Sequence, residues 1–236
     1  MGRVGVSASI RQDSGAGTAA ERVAAALRDE LLDGAHPVGT RFREESLAQR
    51  FDVARHTVRA ALRLLVESRL VTHERHRGVC VAPLSRQRID EVFDYRKVLE
   101  LGALRLALAQ GADLSEVEAA VEHLETLAAR EEPLAWRELT MAHGAIHDRI
   151  VAASGNPLLM ESYRRCEDEL RLLLTFVRPD FDAATMAAVH RNLLQHLREG
   201  GETAVDALTD DIDHTGRAAL LHSLTRAETA ARLLGH

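Results

Sequence analysis

Lysine is almost missing from this 236-residue chain: Lys97 is the only one among 30 cationic side chains, and the rest are arginine. That bias reads as genomic base composition rather than mechanism. Cysteine is scarce too. Cys80 and Cys166 lie too far apart to build a disulfide framework, which points to a reducing cytoplasm. No run of 18 apolar residues occurs, which excludes a membrane-spanning helix. Residues 1–17, rich in Gly, Ser and Ala, lack the apolar core of a secretory signal and read as a disordered tail. Aromatic residues are only 3%, whereas Ala and Leu dominate, and both favour helices. With 46% hydrophobic and 28% charged residues, the composition is that of a soluble globular protein and excludes disorder over most of the chain. A mass of 26.0 kDa suits two domains better than one.

The net charge of −6 hides an asymmetry. Residues 1–85 hold 13 Arg against 10 Asp plus Glu, whereas residues 86–236 hold 17 cations against 26 acids. Residues 54–81 are the most basic stretch, with six Arg against two Glu. A basic segment on an acidic body suggests a polyanionic partner for one part only, and a merely solvated charged face is the alternative.

Apolar spacing predicts helices over Thr18–Leu32, Glu44–Phe51 and Arg55–Ser68, with an extended Thr40-Arg41-Phe42 between the first two and a tight turn at Asp52-Val53. Leu70–Thr72 and Val79–Val81 alternate around the charged tip Glu74-Arg75-His76-Arg77-Gly78, as in a β-hairpin. The order helix, helix, turn, helix, hairpin describes a winged helix-turn-helix over residues 18–82. Residues 83–87 form a linker, and an all-helical domain follows over 88–233. Its helices are expected near 87–110, 115–130, 135–153, 157–177, 183–198 and 202–233, so the fold is mainly α, ending in an antiparallel helical bundle.

The third helix carries Arg55, His56, Thr57 and Arg59 on its first turn, where side chains can reach base edges or phosphates in a major groove. Arg75, Arg77 and Gly78 at the hairpin tip can follow the adjacent backbone. Residues 22–83 resemble the DNA-binding domain of GntR-type bacterial transcription regulators. The likeness rests on Gly34, Pro37, Gly39, Glu45, Leu47, Ala48, Val53, Arg55, Thr57, Val58, Arg59, Ala61, Leu62, Leu70, Val71, Gly78 and Val81. It implies a DNA surface made of Arg43, Glu45, Arg55, His56, Thr57, Arg59, Arg75, Arg77 and Gly78. The sequence departs from that family at Asp52, where Gly is usual, at Ala54, where Ser usually caps the recognition helix, and at His56, where Pro is usual. These departures bear on which bases are read, not on the mode of binding.

In the second half, His143 and His147 are spaced i and i+4, so they project from one helix face together with Leu139, Ile146 and Ile150. His190 shares a stripe with Met186, Leu193 and Leu197, and His214 is assigned to the face of Ala207, Ala218 and Leu221. Three helices then aim imidazole at one interior. A lone buried histidine is usually a satisfied core residue, but a set of this kind suits Zn, Ni, Cu or Fe. The stretches DYRKVLELGALRLA, HGAIHDRIVAASGNPLL, VHRNLLQHLREGG and AVDALTDDIDHTGRAAL resemble the helical FCD domain of the FadR subgroup. Many members of that group bind a divalent metal with an Asp and three His, completed by a small carboxylate. The resemblance implies a metal site at His143, His147, His190 and His214, with His143 where the family has Asp. A four-His site leans toward Zn, with Ni possible. His196 and His222 are spare candidates. Arg96 faces inward on the stripe of Ile89, Val92, Phe93 and Leu99, placed to hold an effector carboxylate or to pair with a neighbouring acid.

These readings converge on a cytoplasmic, homodimeric, ligand-responsive regulator, a repressor that binds an inverted-repeat DNA operator and a small carboxylate effector, with no membrane association. A metal-dependent hydrolase using the His cluster is the alternative, although no acid stands at general-base spacing within that cluster. A DNA-architectural protein is a third reading, but it leaves the acidic helical domain unexplained.

Overall fold

The computed structural model describes residues 17–75, 77–82, 85–132, 134–176 and 182–233. The expected tail, apart from Gly17, lies outside these residues, as do His76 of the hairpin tip and Pro83 and Leu84 of the linker. The chain divides into two compact units, with the boundary between residues 83 and 84.

The first unit holds α1 (Ala19–Leu32), α2 (Glu44–Phe51), α3 (Arg55–Glu67), β1 (Val71–Glu74) and β2 (Gly78–Val81). α1 begins at a capping box: the Thr18 hydroxyl accepts from the Glu21 amide, and the Glu21 carboxylate accepts from the Thr18 amide. The turn between α2 and α3 depends on Asp52, whose φ of 52° and ψ of 49° are left-handed. Asp tolerates this conformation better than most residues because its short side chain bonds locally. β1 and β2 pair antiparallel with Val71 opposite Val81 and Glu74 opposite Gly78, whose φ is 81°. The extended piece after α1 joins this hairpin through a bridge from Arg41 to Cys80. Val23, Leu27 and Leu31 of α1, with Val58, Leu62 and Leu65 of α3, are buried and form the core beneath it.

The second unit is helical throughout its described residues: α4 (Arg86–Ala109), α5 (Ser115–Ala128), α6 (Trp136–Ala152), α7 (Pro157–Phe176), α8 (Ala183–Glu199), α9 (Gly201–Asp210), a π-helical segment (Asp211–Arg217) and α10 (Ala218–Leu233). α4 starts at Arg86, within the expected linker, because the Ser85 hydroxyl caps it by accepting from the Arg88 amide. α5 packs on α6 and α8, α7 on α4 and α6, and α9 on α8. One apolar core runs through these contacts, from Ile89 and Phe93 of α4 to Leu220 and Leu224 of α10. The expected unbroken helix over 202–233 is interrupted by the π segment. Asp211 and Ile212, the first two residues of that segment, continue the buried stripe of α9.

Candidate functional site

The first unit carries the residues expected to face DNA. α3 buries Val58, Ala61, Leu62 and Leu65 and turns Arg55, His56 and Arg59 to solvent, with Thr57 half-buried. The two arginines are already engaged by the N-terminal turn of α2. Arg59 grips Glu44 in a fork, Nε to Oε1 at 3.1 Å and Nη2 to Oε2 at 2.8 Å, and Arg55 pairs with Glu45. Arg59 thereby holds the Glu44 carboxyl below its ordinary range. Such exposed pairs are screened and weak, so they orient the guanidiniums without locking them. Arg43 is exposed at the N-cap of α2, whose cap has no side-chain hydrogen bond. Arg75 and Arg77 are exposed at the hairpin tip, and Arg77 reaches back to Glu74 at 3.2 Å. Ala54 occupies the N-cap of α3 in an extended conformation and gives the helix no side-chain cap.

In the second unit three of the four expected histidines meet. The ligand nitrogens of His143 and His147 on α6 and His190 on α8 all lie within 4.8 Å of one another. The Nε2 atoms of His147 and His143 are 3.2 Å apart, and those of His190 and His147 are 3.4 Å apart. The far sides of two of these rings are fixed. His147 Nδ1 faces Glu100 Oε2 at 2.9 Å, and His190 Nδ1 faces the Met186 carbonyl at 2.8 Å. With Nδ1 donating, both Nε2 lone pairs point into the cluster. This is the arrangement by which an outer partner sets the tautomer of a ligating imidazole. Burial pushes the pKa of His143 well below 6.5, and its histidine neighbours push the same way. Burial also lowers His190, against the opposing field of Asp211. Neutral imidazoles crowded lone pair to lone pair are poorly matched to each other and well matched to a cation.

His214 does not join them. Its side chain is 79% exposed and bonds Asp210, whereas His147 is 1% exposed. The sequence reading assigned it to a face with Ala207, Ala218 and Leu221, but the buried face is Ala204, Leu208, Asp211 and Ile212, continued by Leu220 after the π segment. The residue brought in is Asp211, with Oδ2 3.5 Å from His147 Nε2 and Oδ1 3.8 Å from His190 Nε2. The reading missed Asp211, although the spacing of Ala204, Leu208 and Asp211 carries the signal. His196 is half-buried and bonds the Asn192 carbonyl, and His222 is exposed.

Arg96 is 2% exposed and faces inward as expected, and its Nε donates to Glu100 Oε1. Burial alone would raise the Glu100 carboxyl, but Arg96 and His147 outweigh it and pull the pKa down to about 2. The expectation offered an effector carboxylate or a neighbouring acid as its partner, and the structure has the acid with a donor left over. Arg96 Nη2 is buried with no partner, a costly state that a second anion would relieve. Arg96, His143, His190 and Asp211 line one cavity of about 40 Å³, walled on its apolar side by Leu170 and Met186. Gly216 closes the end against Phe93: a Cβ there would lie 2.9 Å from the Phe93 ring, so the ring would have to shift.

An arginine-bearing recognition helix in one unit and, in the other, a largely apolar pocket into which Arg96, two histidines and Asp211 are set define a ligand-responsive DNA-binding regulator. Residues 19–81 match the model of bacterial regulatory proteins of the gntR family, and residues 91–214 match the FCD domain. The chain belongs to the GntR family and carries its FCD effector domain. It is 31% identical over 147 residues to the HTH-type transcriptional repressor GlaR of Escherichia coli, covering 60% of this chain and 66% of that one, just under two thirds of its length. It is 28% identical to a protein of Paenarthrobacter nicotinovorans named probable D-xylose utilization operon transcriptional repressor, over 80% of this chain and 85% of that one. A crystal structure of a GntR transcriptional regulator from Rhodococcus sp. RHA1 superposes with a TM-score of 0.72 at 27% identity, covering 86% of this chain and 97% of that one. These relatives are transcription regulators, which sets aside the metal-dependent hydrolase. Among the described residues no helix is long and apolar enough to cross a membrane.

Proposed function

We propose that this regulator is a repressor that binds a short inverted-repeat operator as a homodimer, and that its helical unit holds a divalent metal on His143, His147, His190 and Asp211. A small carboxylate effector then bridges the metal and Arg96. The single observation that carries the reading is the cavity itself, where oriented imidazole lone pairs, a carboxylate and an unpartnered guanidinium nitrogen converge. The donor set fits a metal because His147 and His190 present free lone pairs while Asp211 supplies charge. Replacing His214 by Asp211 restores the anionic ligand that a four-His site would lack, so Mn joins Zn and Ni as a candidate. A bound metal would supply an electrophilic point for one effector oxygen. Arg96 Nη2 would take another, with Glu100 holding the guanidinium in place. The repressor reading is supported by two relatives named as repressors, GlaR and the D-xylose operon protein. The place of work is the bacterial nucleoid.

The effector test uses Arg96→Lys rather than alanine, because alanine would strand Glu100 and disturb His147 through it. Lysine keeps a cation beside Glu100 but loses the second donor of the fork. A gel-shift titration on the operator, with a panel of small carboxylates, should show release in the parent protein and none in Arg96→Lys at equal metal content. A normal response in the variant sinks the effector site. Failure of Zn, Ni and Mn alike to raise the melting temperature of chelator-treated protein sinks the metal site.

A further inference from the structure

The cavity is too small for a whole effector. Its volume of about 40 Å³ is room for roughly three water-sized groups, at about 10–15 Å³ for each. A metal ion and one carboxylate fill it, so a longer ligand has to continue outside. A second, more open groove of about 360 Å³ lies between α8, α9 and the π segment. Val189, Asp211 and Thr215 line both spaces, which therefore share a wall.

The groove differs from the cavity in chemistry. Leu170, Leu174 and Met186 surround Arg96 with apolar wall, whereas the groove carries Asn192 and His196 of α8 with Thr203, Asp206 and Asp210 of α9. These groups mostly accept hydrogen bonds. His196 Nδ1 donates to the Asn192 carbonyl at 2.8 Å, which leaves Nε2 of the neutral ring as an acceptor. Asp210 takes His214 Nδ1 on one oxygen at 3.2 Å and keeps the other, and Asp206 has no ion-pair partner among the described residues. The side chains of Asn192 and Thr203 both donate and accept. An apolar tail would strip water from this lining and replace none of its hydrogen bonds. A second carboxylate would meet two like charges, each costing about fivefold in affinity at about 4 Å even at the permittivity of water. A hydroxyl donates to the aspartates and accepts from Asn192 and Thr203, so a chain of hydroxyls matches the polar lining.

We propose that the groove is the specificity subsite of the effector site: it takes the hydroxylated tail of a monocarboxylic acid whose carboxylate sits on Arg96, and Asp206 and Asp210 turn away acids with a second carboxylate. This rests on the carboxylate-effector reading and gives the effector a chemical class. The two spaces then select opposite ends of one molecule. Arg96 Nη2, buried and without a partner, demands an anion at one end, and the aspartates demand a neutral donor at the other.

Ligand titrations on the full chain, supplied with Zn, Ni or Mn in turn, test it. Trp136 is the only tryptophan, and its indole N–H donates at 3.1 Å to the carbonyl of Leu174, a wall residue of the cavity, so its fluorescence reads binding. The probes are glycolate, the five- and six-carbon aldonic acids, the aldaric acids of the same lengths, hexanoate and ε-aminocaproate. At least one aldonic acid should bind about tenfold or more tightly than glycolate and hexanoate, through several added hydrogen bonds. Its aldaric counterpart, which differs in the second carboxylate, should bind at least about fivefold more weakly. Asp206→Asn combined with Asp210→Asn should bring the two within about twofold and leave glycolate unchanged. Both side chains are exposed, so the ligand-free variant should melt with the parent. Glycolate that binds the parent and not Arg96→Lys, with no aldonic acid binding more tightly than glycolate or hexanoate, overturns the groove and leaves the effector site standing. So does an aldaric acid or ε-aminocaproate that matches the best aldonic acid, or an aldaric acid that gains nothing in the double variant. A chain that responds to none of these acids overturns both.

Discussion

The two units put their working groups in opposite places. In the winged unit the arginines of α3 lie on the surface, held by carboxylates one element away in the chain, and only apolar residues lie beneath them. In the helical unit Arg96, Glu100, His147, His190 and Asp211 are all buried, drawn from four separate elements. A surface that must meet a phosphate backbone keeps its charges hydrated and lets the partner replace weak pairs. A cavity that must recognise a small ligand removes water, so each charge needs a partner in the fold or in the ligand. Substitutions should therefore act on binding in the first unit and on stability in the second.

The largest expected break is Glu100→Ala. It leaves Arg96 buried without its partner and frees the His147 ring, and should cost the helical unit about 3–5 kcal/mol in denaturant unfolding. A loss comparable to a surface substitution, below about 0.5 kcal/mol, would mean that the pair is hydrated.

The proposed metal ligands come next. With metal at about a hundred times its dissociation constant, bound metal adds about 2.7 kcal/mol to stability. His147→Ala and Asp211→Asn should remove that increment, and His214→Ala should keep it. Thermal shifts with and without chelator separate the three variants, and an effect at His214 matching that at His147 would restore the four-His arrangement.

Acid should separate the units as well. In chelated protein His143 and His190 titrate below 6.5 when folded, so the unfolded chain takes up protons first. Stability of the helical unit is then full above pH 6.5 and falls as pH drops below it. The winged unit should hold until the carboxylate range. There Glu30 is kept below 4.5 by Arg50 and His36 despite burial, Glu44 is kept below 4.5 by Arg59, and both protonate. Two circular-dichroism transitions that move together through pH 6 would contradict the separation.

Smaller effects belong to the winged unit. Arg59→Ala should weaken operator binding about ten- to a hundredfold, as loss of a bidentate base contact does, with no change in the unfolding of the helical unit. Unchanged affinity in gel shift removes Arg59 from the interface. Ala54→Ser should add a side-chain cap to α3 and stabilise the unit by about 1 kcal/mol, read as a higher melting temperature.

Much of this was legible before any coordinates. Apolar spacing located α2 to the residue and α3 within one. The fourfold spacing of His143 and His147 placed both imidazoles on one face, and the inward position of Arg96 followed from its stripe. Each of these depends on neighbours within a turn or two, where helix geometry alone decides the direction of a side chain. Asp211 and His214 show where that logic ends. A regular α period assigned His214 to the face of Ala207 and Ala218. The same period already carries Ala204, Leu208 and Asp211 to the buried side, and the π segment at Asp211–Arg217 then breaks it, so the buried face resumes at Leu220 without passing through His214. That Arg96 takes Glu100 is again an i, i+4 contact within α4, whereas the nitrogen left over depends on what the packed elements bring to it. The sequence by itself determined the elements, the two-unit order and which helix faces carry chemistry, because those are local consequences of residue type and period. Only the tertiary structure decided which carboxylate closes the histidine cluster, because that choice is made by packing between α6, α8 and the π segment, elements separate in the sequence.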